Sequence, residues 1–458
     1  MAPAPSSDWQ AALPAPFLTY RGDRRLEEVE CIVPDLVGSS RGKAMPSHKF
    51  SPEQTYALPT SLFYETVSGE YVDIAGIENQ WTEVDMVLRP DMSTASAVPW
   101  AADATLQVIC DLEDRHGNPV SIAPRNVLKR VLDRYAEHGW QPIVAPELEF
   151  YLISPNLDWN DPVKPPVGRT GRPGSARQAY SMVAVDEYGE VIDTIYDYAE
   201  DQGLHIDTLI QEGGAGQIEI NLMHGDPMAL ADQVFYFKRA IREAALKHKF
   251  FATFMAKPMR DQPGSAMHIH QSVLDKRTGQ NIFSNPDGSE SEAFYHFIGG
   301  SQRHLMEVMP LIAPYVNSHR RLTGGMSAPT NMEWGHDNRT TGLRIPNARP
   351  EARRVENRVI GIDANPYLAL AASLAAGLKG MTDRIAPRRA AQGEIWTDGA
   401  ILPEGPFDML AAFNEAHEMR ALLGAEFCAV LSAIKLAELN EFQREISPWE
   451  RKHLLLNV

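Results

Sequence analysis

Four short segments of this 458-residue chain repeat one pattern, in which charged or imidazole side chains occupy every second position with apolar residues between them. In residues 143–152, Glu147 and Glu149 alternate with Leu148 and Phe150; in residues 216–222, Glu219 and Asn221 alternate with Ile218, Ile220 and Leu222. Residues 267–273 align His268, His270 and Ser272, and residues 354–358 align Arg354, Glu356 and Arg358. Successive side chains of a strand point to opposite faces, so each segment gathers its polar groups on one side. One such segment is an ordinary half-buried strand with a wet face. Four whose polar faces converge, with Glu212 just before the second, would put Glu147, Glu149, Glu212, Glu219 and Glu356 beside His268. Neighbouring like charges raise one another's pKa, so these carboxylates cannot all stay ionised without cations. Carboxylate oxygens with a single imidazole suit Mg²⁺ or Mn²⁺, whereas zinc would favour more His or Cys. The set divides naturally between two ions, with positions left for water and phosphate.

Arginine is concentrated in the same part of the chain. Arg320, Arg321, Arg339, Arg344, Arg353, Arg354 and Arg358 lie close together although the formal net charge is -17. Guanidinium forks recognise phosphate and carboxylate bidentately, and cations with arginines are what phosphoryl transfer needs to neutralise spreading charge. The alternative is a solvated basic face. There is no Gly-x-x-x-x-Gly-Lys-Ser/Thr loop and no Gly-x-Ser-x-Gly elbow, which excludes a P-loop and disfavours an α/β-hydrolase. The glycines at 213, 214 and 216 read as a tight strand entry. The acidity argues against duplex nucleic acid or an anionic membrane as partner. Cys31, Cys110 and Cys428 form neither a zinc pattern nor a disulfide framework, and no leader-like or membrane-length apolar run occurs, so a reducing cytoplasm is expected.

The remaining pattern predicts an α+β protein. Residues 1–22, rich in Ala and Pro, read as an irregular arm; strands are predicted at 26–37, 84–88 and 104–112, in a β-rich domain over 23–119. Beyond it, Ser121 is the predicted cap of a helix with Pro124 in its first turn, Val127, Leu128, Val131, Leu132 and Tyr135 on one face, and Gly139 as its stop. Further helices are predicted at 226–248 and 364–379, with a loop at 156–174, in a catalytic domain over 120–458.

Longer strings then become informative. DLVGSSRGKAMP from Asp35, Pro90-Asp91 with Pro99-Trp100, PELEF around Glu147 and Glu149, EGGAGQIEI from Glu212, KPM and SAMHIHQS after Lys257, NSHRRL from Asn317, NRTTGLRIP from Asn338 and ARRVENR with NPY from Ala352 resemble the glutamine synthetase family, in order and over nearly the whole chain. The resemblance implies a β-grasp N-terminal domain, a catalytic domain built on a funnel of antiparallel strands flanked by helices, and a homo-oligomer, a dodecamer of two stacked hexamers with active sites between neighbouring subunits. By the same resemblance Glu149, Glu212 and Glu219 hold one metal and Glu147, His268 and Glu356 the other. Asp207, His270, Ser272, Arg339 and Arg344 match positions that hold ATP, Gly264, Arg321 and Arg358 match positions that hold glutamate, and Arg339 and Arg358 are the implied catalytic residues. In the family, ATP phosphorylates the γ-carboxylate of glutamate and a nitrogen nucleophile attacks the acyl phosphate.

The departures bear on the nucleophile. The family's flap glutamate, which closes over the site and helps deprotonate ammonium, is replaced by Ser327 in GGMSAP from Gly324. A hydroxyl cannot hold a cation by charge, whereas a larger amine could bring its own contacts and occupy the space vacated. The ammonium-binding aspartate has only Glu65, Asp73 and Asp85 as candidates, and no regulatory tyrosine is evident around Trp396 and Thr397. Within the family, GGAGQIEIN, PGSAMHIHQS and the WE pair at Trp449 are similar to the γ-glutamylpolyamine (γ-glutamylputrescine) synthetases of bacterial polyamine catabolism. That likeness implies a ligase joining L-glutamate to a primary amine such as putrescine or spermidine. Tyr64, Glu65, Tyr71, Asp73 and Trp81 would offer the second ammonium both carboxylates and aromatic faces. Two alternatives stay open: a glutamine synthetase that uses ammonium, and a non-catalytic ring-forming relative.

Overall fold

A computed structural model describes residues 7–78, 80–322, 328–395, 402–403 and 405–458. Among them two sheets organise the chain. The first runs in the order Ser40–Pro46, Leu26–Pro34, Ala104–Glu113, Asp85–Pro90 and Tyr56–Pro59, with Ser96–Ala97 also pairing on Ala104–Glu113. Its central pair, Leu26–Pro34 with Ala104–Glu113, is parallel and the flanking pairs are antiparallel, the arrangement expected of a β-grasp. One face of these central strands is apolar and buried, with Val29, Cys31 and Val33 beside Leu106, Val108 and Cys110, while the other carries Glu28, Glu30, Thr105 and Gln107.

The second sheet runs Trp334–His336, Leu343–Ile345, Val355–Asn357, Met267–Asp275, Trp140–Ile153, Gln217–Leu222 and Ile206–Gln211, with Phe251–Thr253 on the far end of Trp140–Ile153. All its pairs are antiparallel except the Trp334–His336 and Leu343–Ile345 pair. It curves like a barrel wall, with one face packed on helices. Behind it lies the helix Pro366–Asp383, whose Ala and Leu residues are buried almost all round. Against that helix the helix Glu292–His304 packs so closely that a side chain at Gly300 would meet the backbone of Gly380 at 2.4 Å. Only glycine permits that approach.

The two sheets are tied by charge as well as by packing. Arg125, in the helix Pro124–Glu137, bonds Asp91 at 2.6 Å and Asp111 from the first sheet side and Asp232 at 3.0 Å on the helix Pro227–Lys247. Tyr367 donates to the same Asp232 at 2.7 Å. Asn365 caps the helix Pro366–Asp383 through Tyr367 and Leu368, and its amide reaches the carbonyl of Asp35 at 2.9 Å in the first sheet's turn.

Two local expectations are corrected. Residues 7–21 are not irregular: a 3-10 turn, Ser7–Ala12, and a short helix, Ala15–Arg21, form there because Phe17 finds a buried place in the core. Ser121 does not cap the helix that follows; the cap position falls to Ala123, and the Ser121 hydroxyl bonds Glu426 instead. The helices Pro227–Lys247, capped by Asp226, and Pro366–Asp383 agree with the predicted spans within a few residues. Among the described residues no helix is long and apolar enough to cross a membrane.

Candidate active site

The register of the second sheet brings the polar faces together. His268 lies opposite Glu147, which in turn lies opposite Asn221; Glu149 lies opposite Glu219; Glu356 lies opposite both His270 and Arg344. Residues directly opposite across a ladder share a face, so one wall carries four carboxylates and two imidazoles. Glu212 joins them from the turn before Gln217–Leu222, where Gln217 receives the Gly214 N–H and donates to the Gly264 carbonyl at 2.9 Å. Gln217 is a site residue that the sequence reading missed. It was legible by the same alternation, one step before Glu219.

The acids of this wall fall into two groups. Glu356, 1% exposed, is bound by Arg344 at 2.8 Å and by Arg358, and its pKa is lowered: burial opposes ionisation, but the positive charge beside it, Arg358 first, outweighs it. Glu147 accepts from His268 Nδ1 at 3.0 Å and from His270 Nε2 at 2.8 Å, and against the cost of burial these bonds hold it below the usual carboxylate range. Glu149, Glu212 and Glu219 have no Lys or Arg within 4 Å among the described residues. Burial, then the Glu212 charge, pushes Glu149 up to about 8, although Arg321, Arg358 and the Ala266 N–H at 2.8 Å oppose this. Burial, then Glu147, Glu149 and Glu212, pushes Glu219 up to about 9. Glu212 is raised by burial and by Glu147. Burial and Arg358 lower His268 to about 4, so its imidazole is neutral and available as a ligand near neutral pH.

Clustered carboxyl oxygens that keep protons for want of a counter-charge, beside a neutral imidazole, are a fit for divalent cations. The three uncompensated acids are the set that the resemblance assigns to one ion. Atom spacing adds a detail: Glu147, Glu219 and His268, and likewise Glu147, His270 and Glu356, place one donor atom each within 4.8 Å of one another. Beside the wall opens a cavity of about 560 Å³ lined by Glu147, Asp207, His270, Ser272 and Arg354 among others, which joins three of the five expected nucleotide residues. Arg344 points instead to Glu356 and, at 2.7 Å, to Asp337, and Arg339 is exposed, its charge acting on Glu212.

On the opposite side of Glu149, Arg321 is buried and donates to the carbonyls of Arg358 and Val359, both at 2.8 Å; burial lowers it to about 10. Gly264 gives it room, since a Cβ there would lie 2.6 Å from Arg321 Cγ. Arg358 keeps a buried Nε without a partner among the described residues. The expected amine-binding group also assembles, on the first sheet side: Tyr71 and Trp81 meet edge to face at 5.7 Å and Tyr64 and Trp81 at 6.3 Å. Its carboxylates are engaged, Glu65 by Arg41 at 3.1 Å and Asp73 by the Trp81 indole at 2.6 Å, while Asp85 is exposed at the start of its strand. Ser327, with Gly324, and Trp396 with Thr397 lie outside the described residues.

Comparison with known proteins follows the same outline. Residues 121–454 match the glutamine synthetase catalytic domain. The gamma-glutamylputrescine synthetase PuuA of Escherichia coli (strain K12) is 36% identical over 94% of this chain and 92% of its own length. The glutamate–isopropylamine ligase of a Pseudomonas species is 32% identical over 91% and 92%. GmaS, solved without ligand and as an ADP complex, superposes with a TM-score of 0.81 in both cases, at 27% and 26% identity, covering 96% of this chain and 99% of that one. With this sheet register and this carboxylate wall, the chain belongs to the glutamine synthetase family of ATP-dependent carboxylate–amine ligases.

Proposed function

We propose that this protein joins the γ-carboxylate of L-glutamate to a primary amine, a polyamine such as putrescine or spermidine, through a γ-glutamyl phosphate and with release of ADP. The observation that carries the ligase chemistry is the trio Glu149, Glu212 and Glu219, two buried and one half-buried, with no Lys or Arg within 4 Å among the described residues. Such a trio holds protons only for want of a cation, and divalent ions that displace them would supply the neutralising charge that lets one anion approach another. In this reading two Mg²⁺ or Mn²⁺ ions are shared among Glu147, Glu149, Glu212, Glu219, His268 and Glu356. Asp207, His270, Ser272, Arg339 and Arg344 hold ATP, Gly264, Arg321 and Arg358 hold glutamate, and Arg339 and Arg358 face the phosphoryl group in transfer.

The amine half of the reading has separate support. Two relatives carry an alkylamine or diamine in their names, and Ser327 removes the carboxylate that would retain ammonium. Tyr64, Glu65, Tyr71, Asp73 and Trp81 are the proposed contacts for the distal ammonium. The enzyme would work in the cytoplasm as a homo-oligomer of two stacked hexameric rings.

ADP release measured with ATP, glutamate and either ammonium, putrescine, spermidine or a monoamine tests this. Turnover with diamines and little with ammonium is expected. Rapid turnover with ammonium alone would replace the polyamine reading with glutamine synthesis, and no turnover with any amine would leave a non-catalytic relative.

A further inference from the structure

His268 and His270 both flank Glu147, and spacing alone does not choose between them as ligands: each falls into a three-atom group, His268 with Glu147 and Glu219, His270 with Glu147 and Glu356. The difference lies on the other side of the ring. Arg354 Nε donates to His270 Nδ1 at 3.1 Å, while His270 Nε2 stands 2.8 Å from Glu147 Oε1. A guanidinium has no acceptor, so His270 Nδ1 must present its lone pair to Arg354. The neutral imidazole then carries its one proton on Nε2, the atom that faces the carboxylates, and a nitrogen that carries a proton has no lone pair for a metal ion.

His268 is placed the other way round. Its Nδ1 faces the acids, 3.0 Å from Glu147, 3.8 Å from Glu149 and 4.0 Å from Glu356, and no cation donates to its Nε2 among the described residues. That Nδ1 donates to Glu147 in the metal-free protein, and nothing holds the proton there once a cation takes its place: it can move to Nε2 and leave Nδ1 open. Metal-binding histidines ordinarily donate their second N–H to an acceptor. Arg354 reverses that polarity for one of the two rings. We infer that Arg354 is a positioning residue that excludes His270 from the metal's coordination sphere, keeps it as an N–H donor on the cavity wall beside Ser272, and so leaves the imidazole ligand position to His268.

The inference rests on the metal reading of the carboxylate wall. It is tested on the full chain loaded with Mn²⁺ by pulsed electron paramagnetic resonance, which counts imidazole nitrogens coupled to the ion. The unaltered protein should show one, and His270→Gln should leave that coupling in place. Arg354→Met and, independently, Arg354→Ala should gain a second imidazole coupling as His270 becomes able to bind, and Arg354→Lys, whose ammonium still donates to Nδ1, should return to one. Loss of coupling in His270→Gln, or a single coupling retained in both Arg354→Met and Arg354→Ala with Mn²⁺ bound, would overturn it. An unaltered protein that shows no imidazole coupling at all would remove the metal reading itself, and this inference with it.

Discussion

The molecule gathers two clusters of carboxylates, and they are built to opposite ends. Around Arg125, three aspartates close on a guanidinium that the chain itself supplies, and the Tyr367 hydroxyl donates to one of them, Asp232. Asp91 is held below its ordinary pKa there, burial being outweighed by Ser93 and Arg125, and Arg125 is raised by Asp232, Asp111 and Asp91 against its own burial. In the second sheet, Glu149, Glu212 and Glu219 have no such partner among the described residues and are raised. Clustering of acids is therefore not what distinguishes an active site in this protein. Whether the chain provides the counter-charge is.

Three changes would break or sharpen that contrast. Arg125→Met removes the fixed cation from the first cluster and should cost about 3–5 kcal/mol of stability, because three carboxylates are left facing one another; a lower denaturation midpoint measures it, and an unchanged midpoint would show the cluster to be idle. Glu219→Gln should do the reverse in the second cluster, raising the melting temperature of the metal-free protein while cutting ADP release about 10²–10³-fold. A fall in metal-free stability would mean that Glu219 is already compensated.

The smallest effect concerns pH. Glu149 and Glu219 keep their protons up to about 8 and 9 in the fold, whereas unfolded glutamates lose theirs near about 4.3. Between these limits the native state binds more protons than the unfolded chain, so the stability of the metal-free protein falls as pH rises. Cations bind the deprotonated form, so the thermal shift produced by Mg²⁺ or Mn²⁺ should grow from pH 6.5 to 8.5, reaching about 2.7 kcal/mol at 100 times the dissociation constant. A shift independent of pH would place the ion elsewhere.

The contrast also marks how far the sequence could be read. Glu147, Glu149, Glu219, His268, His270 and Glu356 were legible because period-2 alternation is local, and so was the α+β order of strands and helices. Which residue stands across from which was not, since the pairing of His268 with Glu147 joins strands more than a hundred residues apart. The Arg125 cluster left no local trace: Asp91 follows a proline, Asp111 lies inside a strand and Asp232 inside a helix, each unremarkable alone. Residues 15–21 were misread because the Pro and Ala that suggested an irregular arm also suit a helix start once Phe17 has a core to enter. The Ser121 cap failed for the converse reason, a local rule set aside by a distant carboxylate on Glu426.

Asn365 has a consequence for how the protein can be cut or recombined. One side chain both starts the Pro366–Asp383 helix and holds the Asp35 turn, so the N-terminal part is not a detachable cassette. A truncation near residue 120 would strip that amide of its acceptor and uncover the apolar helix end beneath it. Chimaeras with a homologue should survive only when the asparagine and the turn it grips come from the same parent.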